Sequence, residues 1–244
     1  MKLLLISNST NPGEVYLGWP RPFIAGFLKK YDISSVLFIP YAGVGLSAQS
    51  LKKSYDVYEE RVAGVFAEFG CKVQSVHHHT DPAAAIAEAS CVVVGGGNTF
   101  HLVAQMHHYK LMEPIRKRVL QGMPFMGWSA GANVACPTLR TTNDMPIIQP
   151  ASFDCLNLVP FQINPHYLDA HPAGHGGETR QQRIEEFLII NRHIKVVGLR
   201  ESSLLEVEGL QMKLNGSKPM RLFQFGVEPE EFEPGADLSF LLHS

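Results

Sequence analysis

The chain is poor in the features that would tie it to a polyanion, a membrane or an oxidising compartment. Its 21 Lys and Arg and 23 Asp and Glu leave a formal net charge of -2 and are interspersed, so no basic patch marks it for nucleic acid or anionic lipid. A small-molecule partner is expected instead. Cysteine is scarce: four of 244 residues, Cys71, Cys91, Cys136 and Cys155. They form no CxxC pair and three lie in or beside apolar runs, which reads as reduced, buried thiols and not as a disulfide framework. The opening "MKLLLISNSTNPGE" has one Lys and four consecutive apolar residues, too short for a signal-peptide core and far short of a membrane span. A cytoplasmic protein is therefore expected. Linker-like stretches and internal repeats are also missing, so residues 1–244 read as a single domain although the length leaves room for two. The 45% hydrophobic content suffices for a full core.

What is present is a rhythm. "LLLIS", "SVLFIPYA", "CKVQSVHH" and "CVVVGGG" have strand length, and helix-like segments such as "RPFIAGFLKKY", residues 50–68 and "DPAAAIAEA" fall between them. Continuous runs such as Val92-Val93-Val94 imply strands covered on both faces. The fold class that follows is α/β, a mostly parallel sheet sandwiched by helices. The helical pattern after Thr99 is expected to break near Pro114 before the strand "PFMGW". Beyond residue 150 come "LVPFQIN", a helix in "GETRQQRIEEFLII" and the strand "IKVVGL". The short pieces "SLLEVEG", "LQMKLNG" and "MRLFQFG" then suggest a small antiparallel C-terminal extension.

Gly127-Trp128-Ser129-Ala130-Gly131 fits the G-x-S-x-G pattern, with an apolar strand before it and a helix-compatible segment after it. Glycines on either side let a sharp strand-to-helix turn close while the hydroxyl projects outward. The helix starting at Ala130 would aim free N–H groups and its positive dipole end at the same place. The same five residues equally suit a serine that merely caps the helix. As a nucleophile, Ser129 needs a base. His166, in "FQINPHYLDAHPAGH", follows an apolar strand whose end would deliver it to the crevice of an α/β sheet. The base needs an orienting carboxylate. Glu201, after "IKVVGLR", is the favoured partner; Asp144, in the polar turn "RTTNDMPII", is an ordinary turn residue or an orienting or loop-fixing one.

"CVVVGGGNTFHL" places Gly95, Gly96 and Gly97 between strand and helix. The spacing is not that of a dinucleotide or phosphate loop, so no nucleotide cofactor is expected. Close backbone approach is the better use: the N–H groups of Gly97 and Ala130 can converge on a developing oxyanion, each donor being worth roughly 3 kcal/mol in such a site. Among eleven histidines, His77-His78-His79 with Asp81, and the trio His166, His171 and His175, invite a metal reading. Neither group has the i, i+4 pair with a glutamate of a zinc-protease helix, so no metal is expected. The three adjacent histidines are expected to end a strand, alternating between its faces.

Taken together, "VGGGNTF", "GWSAGAN", "RTTNDMPI", "INPH" and "GETRQQRI" resemble the peptidase E family of α-aspartyl dipeptidases, serine peptidases with a class I glutamine-amidotransferase-like fold. The resemblance runs in order from "LLLISNST" to Glu201. It implies cytoplasmic cleavage of dipeptides with an unblocked N-terminal aspartate, with Ser129 as nucleophile, His166 as base, Gly97 and Ala130 as oxyanion hole, and Glu201 or Asp144 as third member. No cofactor, nucleic acid or membrane is implied, and a homodimer is compatible with it. Arg180 is a candidate reader of the substrate carboxylate. It lies one turn before Ile184, which with Phe187 and Leu188 forms an apolar stripe, and its planar fork suits a bidentate grip; a solvated charge paired with Glu185 is the plain alternative. Competing readings are an esterase of the α/β-hydrolase fold, a cyanophycinase-like hydrolase of aspartyl polymers, and a non-catalytic binding relative.

Overall fold

The computed structural model describes residues 1–169, 174 and 176–243. In chain order the first half gives β1 (Lys2–Ile6), α1 (Arg21–Lys30), β2 (Ser35–Ile39), α2 (Leu51–Ala67), β3 (Lys72–Ser75), α3 (Pro82–Glu88), β4 (Val92–Val94), α4 (Thr99–His108), α5 (Met112–Leu120), β5 (Phe125–Trp128) and the single turn α6 (Ala130–Asn133). After a long irregular stretch come β6 (Gln162–Tyr167), α7 (Arg180–Ile190), β7 (Val196–Arg200), β8 (Ser203–Glu208), β9 (Gln211–Gly216), β10 (Met220–Gln224) and β11 (Val227–Phe232).

The main sheet has the order β3-β2-β4-β5-β1-β8-β9. Its first five strands are parallel, and β8 and β9 add to the β1 edge in antiparallel fashion. Because side chains alternate across a strand, the sheet feeds two cores. Leu4, Ile6, Phe38, Val93 and Met126 meet α1 and α2 on one face, through Ile24, Phe27, Val62 and Phe66. Leu3, Leu5, Ile39, Val92 and Val94 meet Leu102, Met106, Ile115 and Val119 of α4 and α5 on the other. Helix starts carry their own signals: Ser50 caps α2, Asn98 caps α4, and Thr179 with Gln182 forms a capping box on α7, each satisfying otherwise orphaned N–H groups.

The segments "INPH" and "IKVVGL" do not join the main sheet. As β6 and β7 they pair in parallel with each other, and β10 and β11 complete a second, four-stranded sheet of order β11-β10-β7-β6. The β1 edge is occupied by β8, which follows β7 after a two-residue turn with Ser202 at φ 66; β7 is thereby displaced into its own layer. The antiparallel C-terminal pieces are shared out, two to the main sheet and two to the second. Two local expectations also shift. The helix break falls at residues 109–111, where Lys110 takes φ 54, and Pro114 sits in the first turn of α5, where a missing N–H costs nothing. His77 and His78 belong to a 3-10 turn, Val76–His78, instead of a strand.

Candidate active site

Ser129 occupies the corner between β5 and α6 at φ 54, ψ -113, a conformation sparsely populated by non-glycine residues and costing of order 1–3 kcal/mol. The surroundings enforce it. Its N–H donates to the Ile6 carbonyl at 2.9 Å, and a Cβ on Gly127 would fall on the Gly131 carbonyl, so the two flanking glycines allow strand and turn to touch. The hydroxyl caps nothing in α6. It lies 3.0 Å from His166 Nε2. Since α6 is one turn long, its contribution is the free N–H groups of its first residues and not a sizeable dipole.

His166 is the extra residue of a bulge in β6, where the register against β7 shifts between Pro165 and Tyr167. A bulge re-aims a side chain; here His166 takes φ 52 and turns across the gap between the two sheets. Its N–H donates to Ser7 Oγ at 3.0 Å, and Ser7, fully buried at the end of β1, donates in turn to the Leu199 carbonyl at 2.7 Å. Glu201, the first residue past β7, accepts from His166 Nδ1–H at 2.7 Å. That bond fixes the tautomer with a lone pair on Nε2, facing the Ser129 hydroxyl. The His166 and Glu201 side chains are 38% and 41% exposed, so the pair orients the ring more than it stabilises the fold.

Asp144 does not reach His166 in this arrangement. Its Oδ2 accepts from Thr99 N–H at 2.7 Å, Thr99 Oγ1 at 2.6 Å and Thr142 Oγ1 at 3.0 Å. It ties the start of α4 to the 142–145 turn, and Asn98 Nδ2 adds a bond to the Met145 carbonyl. The glycine loop is held between these groups and Tyr58, whose buried hydroxyl donates to the Gly96 carbonyl at 2.9 Å. Gly97 sits at φ 134 with the Ala42 carbonyl where a Cβ would be, which no other residue tolerates. Among the described residues the N–H groups of Gly97 and Ala130 have no acceptor.

Ser129, His166, Gly97, Asp144, Tyr16 and Arg61 share the wall of one cavity of about 560 Å³. Arg180 is not in that wall. It opens α7 half-buried, and burial followed by the neighbouring Arg183 lowers its guanidinium below the ordinary value; it has no ion-pair partner among the described residues. His171 and His175 lie outside the described residues. Sequence reasoning missed Arg61 and Tyr16. Arg61 reaches the cavity from α2, its guanidinium 5.5 Å from the centre of the Tyr16 ring, with no carboxylate paired to it among the described residues. The available signal was its place beside the buried Tyr55, Tyr58, Val62, Val65 stripe. The four cysteines are free and buried. Burial pushes their thiols up, that of Cys71 to about 11, so none competes as a nucleophile.

Fold and site together define a class: an α/β protein with a carboxylate, an imidazole and a hydroxyl in line at a strained strand-to-helix elbow. The model of peptidase family S51 matches residues 3–215, and the chain belongs to that family of peptidases. It is 48% identical over 241 residues to peptidase E of Nostoc sp. (strain PCC 7120), covering 99% of this chain and 96% of the relative. It is 45% identical over 235 residues to peptidase E of Salmonella typhimurium (strain LT2), covering 96% and 99%. The fold is similar to that of a peptidase from an acI-B1 Actinobacterium, with a TM-score of 0.72 at 14% identity over 98% of this chain and 96% of that one. Among the described residues no helix is long and apolar enough to cross a membrane.

Proposed function

We propose that this peptidase is a serine dipeptidase that hydrolyses dipeptides with an unblocked N-terminal aspartate through an acyl-enzyme. The observation that carries the reading is the continuous line from Glu201 Oε1 through His166 to Ser129 Oγ, with contacts of 2.7 and 3.0 Å. Ser129 Oγ attacks the peptide carbonyl carbon while His166 Nε2 accepts its proton; the imidazolium, steadied by Glu201, passes that proton to the leaving amine nitrogen. Water then repeats the sequence on the ester and frees the aspartate. Gly97 and Ala130 offer their unused N–H groups to the oxyanion. Similarity over nearly the whole chain to relatives named peptidase E supports the peptidase reading.

An Asp-Xaa dipeptide carries two carboxylates, and among the described residues neither Arg61 in the cavity wall nor Arg180 at the start of α7 has a carboxylate partner. We assign Arg180 to the aspartyl side chain and Arg61, already in the cavity wall, to the C-terminal carboxylate. A desolvated arginine left unpaired by the wrong substrate is costly, which supplies selectivity. Four buried, unbridged thiols suit a reducing compartment such as the cytoplasm.

The test is hydrolysis of Asp-Leu, Asn-Leu and N-acetyl-Asp-Leu by the native chain and by Ser129→Ala. Only Asp-Leu is expected to be cleaved, with a loss on the order of 10⁴- to 10⁶-fold in the variant. A Ser129→Ala protein that keeps its rate removes the serine mechanism. Equal turnover of Asp-Leu and Asn-Leu removes the arginine assignment alone.

A further inference from the structure

We infer that Asp56, His77 and His78, with Glu59 beside His78, form a binding site for a divalent transition metal of the zinc class, on the far side of α2 from the cavity wall. The site is built from two elements. Asp56 and Glu59 are three residues apart on α2, hence on one helical face. Opposite them the chain leaving β3 tightens into the 3-10 turn Val76–His78, so consecutive histidines present their rings side by side, with centroids 3.9 Å apart.

The donor atoms of Asp56, His77 and His78 converge, and Glu59 reaches the group through His78. Asp56 Oδ1 lies 3.1 Å from His77 Nε2 and 3.8 Å from His78 Nε2, and His78 Nε2 lies 2.7 Å from Glu59 Oε2. The ligand atoms of Asp56, His77 and His78 all fall within 4.8 Å of one another. A tetrahedral ion bound at ~2.0–2.1 Å needs ligand atoms about 3.3 Å apart, a spacing that the two Asp56 contacts bracket. Supporting bonds orient the donors as metal sites require. Ser75 N–H donates to Glu59 Oε1 at 2.8 Å, leaving Oε2 turned toward His78. Ser75 Oγ lies against His77 Nδ1, leaving Nε2 turned toward Asp56. Two imidazoles and a carboxylate, with a second carboxylate adjacent, suit Zn²⁺ or Co²⁺, whereas Mg²⁺ and Ca²⁺ favour all-oxygen cages. The pair of carboxylates also matches a dication's charge. This departs from the expectation drawn from spacing, which sought both histidines on one helix. The bound ion would clip α2 to the end of β3 as a structural cross-link.

The experiment is titration of the metal-stripped full chain with Zn²⁺ by calorimetry and with Co²⁺ by visible absorption, for the native protein and for Glu59→Gln and His78→Gln singly and together. One equivalent of Zn²⁺ is expected, with a rise in Tm, and Co²⁺ should give the intense bands of a four-coordinate site. Each single variant should lose at least tenfold in affinity and the double variant should lose binding, while kcat for peptide hydrolysis in metal-free buffer stays native in all three. Absence of Zn²⁺ binding to the native chain overturns the inference, as does undiminished binding to the double variant. Mg²⁺ displacing Zn²⁺ stoichiometrically would overturn the assigned class. His77 is nearly buried, so the two more exposed partners carry the test without risk to the fold.

Discussion

At the residue scale the site is an arrangement of two strained corners. Ser129 at φ 54 and His166 at φ 52 each occupy backbone conformations that cost of order 1–3 kcal/mol, and each is held by a hydrogen bond from its own N–H, to Ile6 O at the end of β1 or to Oγ of Ser7 just after it. The two acidic residues near the pair have separate partners, and substitution should separate their roles. Glu201→Gln keeps the volume but replaces the acceptor of His166 Nδ1–H with an amide that can present its NH2 instead. It should lower kcat roughly 10²- to 10⁴-fold with little change in Tm. Asp144→Asn removes charge from a carboxylate that accepts from Thr99 N–H and two hydroxyls, a cluster worth about 1–3 kcal/mol. It should lower Tm, and it should reduce kcat less, through a looser Gly97 loop. Matched kcat and Tm measurements on the two variants decide it; a larger kcat loss in Asp144→Asn would make Asp144 the closer partner of the imidazole.

At the element scale, much of the arrangement was legible in sequence and some of it was not. The elbow was legible because Gly127 and Gly131 are demanded locally, by carbonyls that approach from the same strand and turn or from β4. The β1–β5 layer was legible because continuous apolar runs report burial on both faces. The second sheet was not, since periodicity within β6 or β7 says nothing about which neighbour it pairs with, and the bulge at His166 leaves no trace in "INPHY". Arg200, next to Glu201, also escaped notice. It pairs with Asp169 and with Glu231 through contacts of 2.7 and 2.8 Å, binding the end of β7 to the chain after β6 and to β11. The Arg200 guanidinium is the leading cause that holds both carboxyls below their usual range. A depressed folded pKa means that the stabilisation is complete above the unfolded value, near pH 4, and is lost as pH falls through the folded one. Native protein should therefore lose Tm from about pH 4 downward, and Arg200→Met should flatten that acid limb. At pH 7 the variant should be destabilised by about 1–2 kcal/mol, a modest figure because both carboxylates are partly exposed and screened. Parallel acid limbs in the two proteins would assign the acid sensitivity elsewhere.

At the scale of the whole molecule the question is whether two sheets behave as one body. A single buried apolar cluster runs from Leu3 and Leu5 of the main sheet to Ile163, Leu199 and Leu222 of the second, and the hydrogen-bonded line from Glu201 through His166 to Ser129 crosses the same junction, with Ser129 on one sheet and His166 and Glu201 on the other. Ser7 joins the two: one buried hydroxyl accepts from His166 N–H and donates to Leu199 O. We therefore expect the chain to unfold as one unit, with near-ultraviolet and far-ultraviolet circular dichroism tracing the same thermal transition. Ser7→Ala leaves the part-buried His166 N–H and the buried Leu199 carbonyl without this partner, at a cost of about 1–3 kcal/mol, and ~2–4 °C of Tm follows per kcal/mol for a chain of this size. Because His166 rests on that hydroxyl through its backbone, the same variant should lower kcat and leave KM close to native. If the sheets were independent bodies, Ser7→Ala would instead split the transition, with the near-ultraviolet signal lost at a lower temperature than the far-ultraviolet one, and catalysis would fail at the lower of the two.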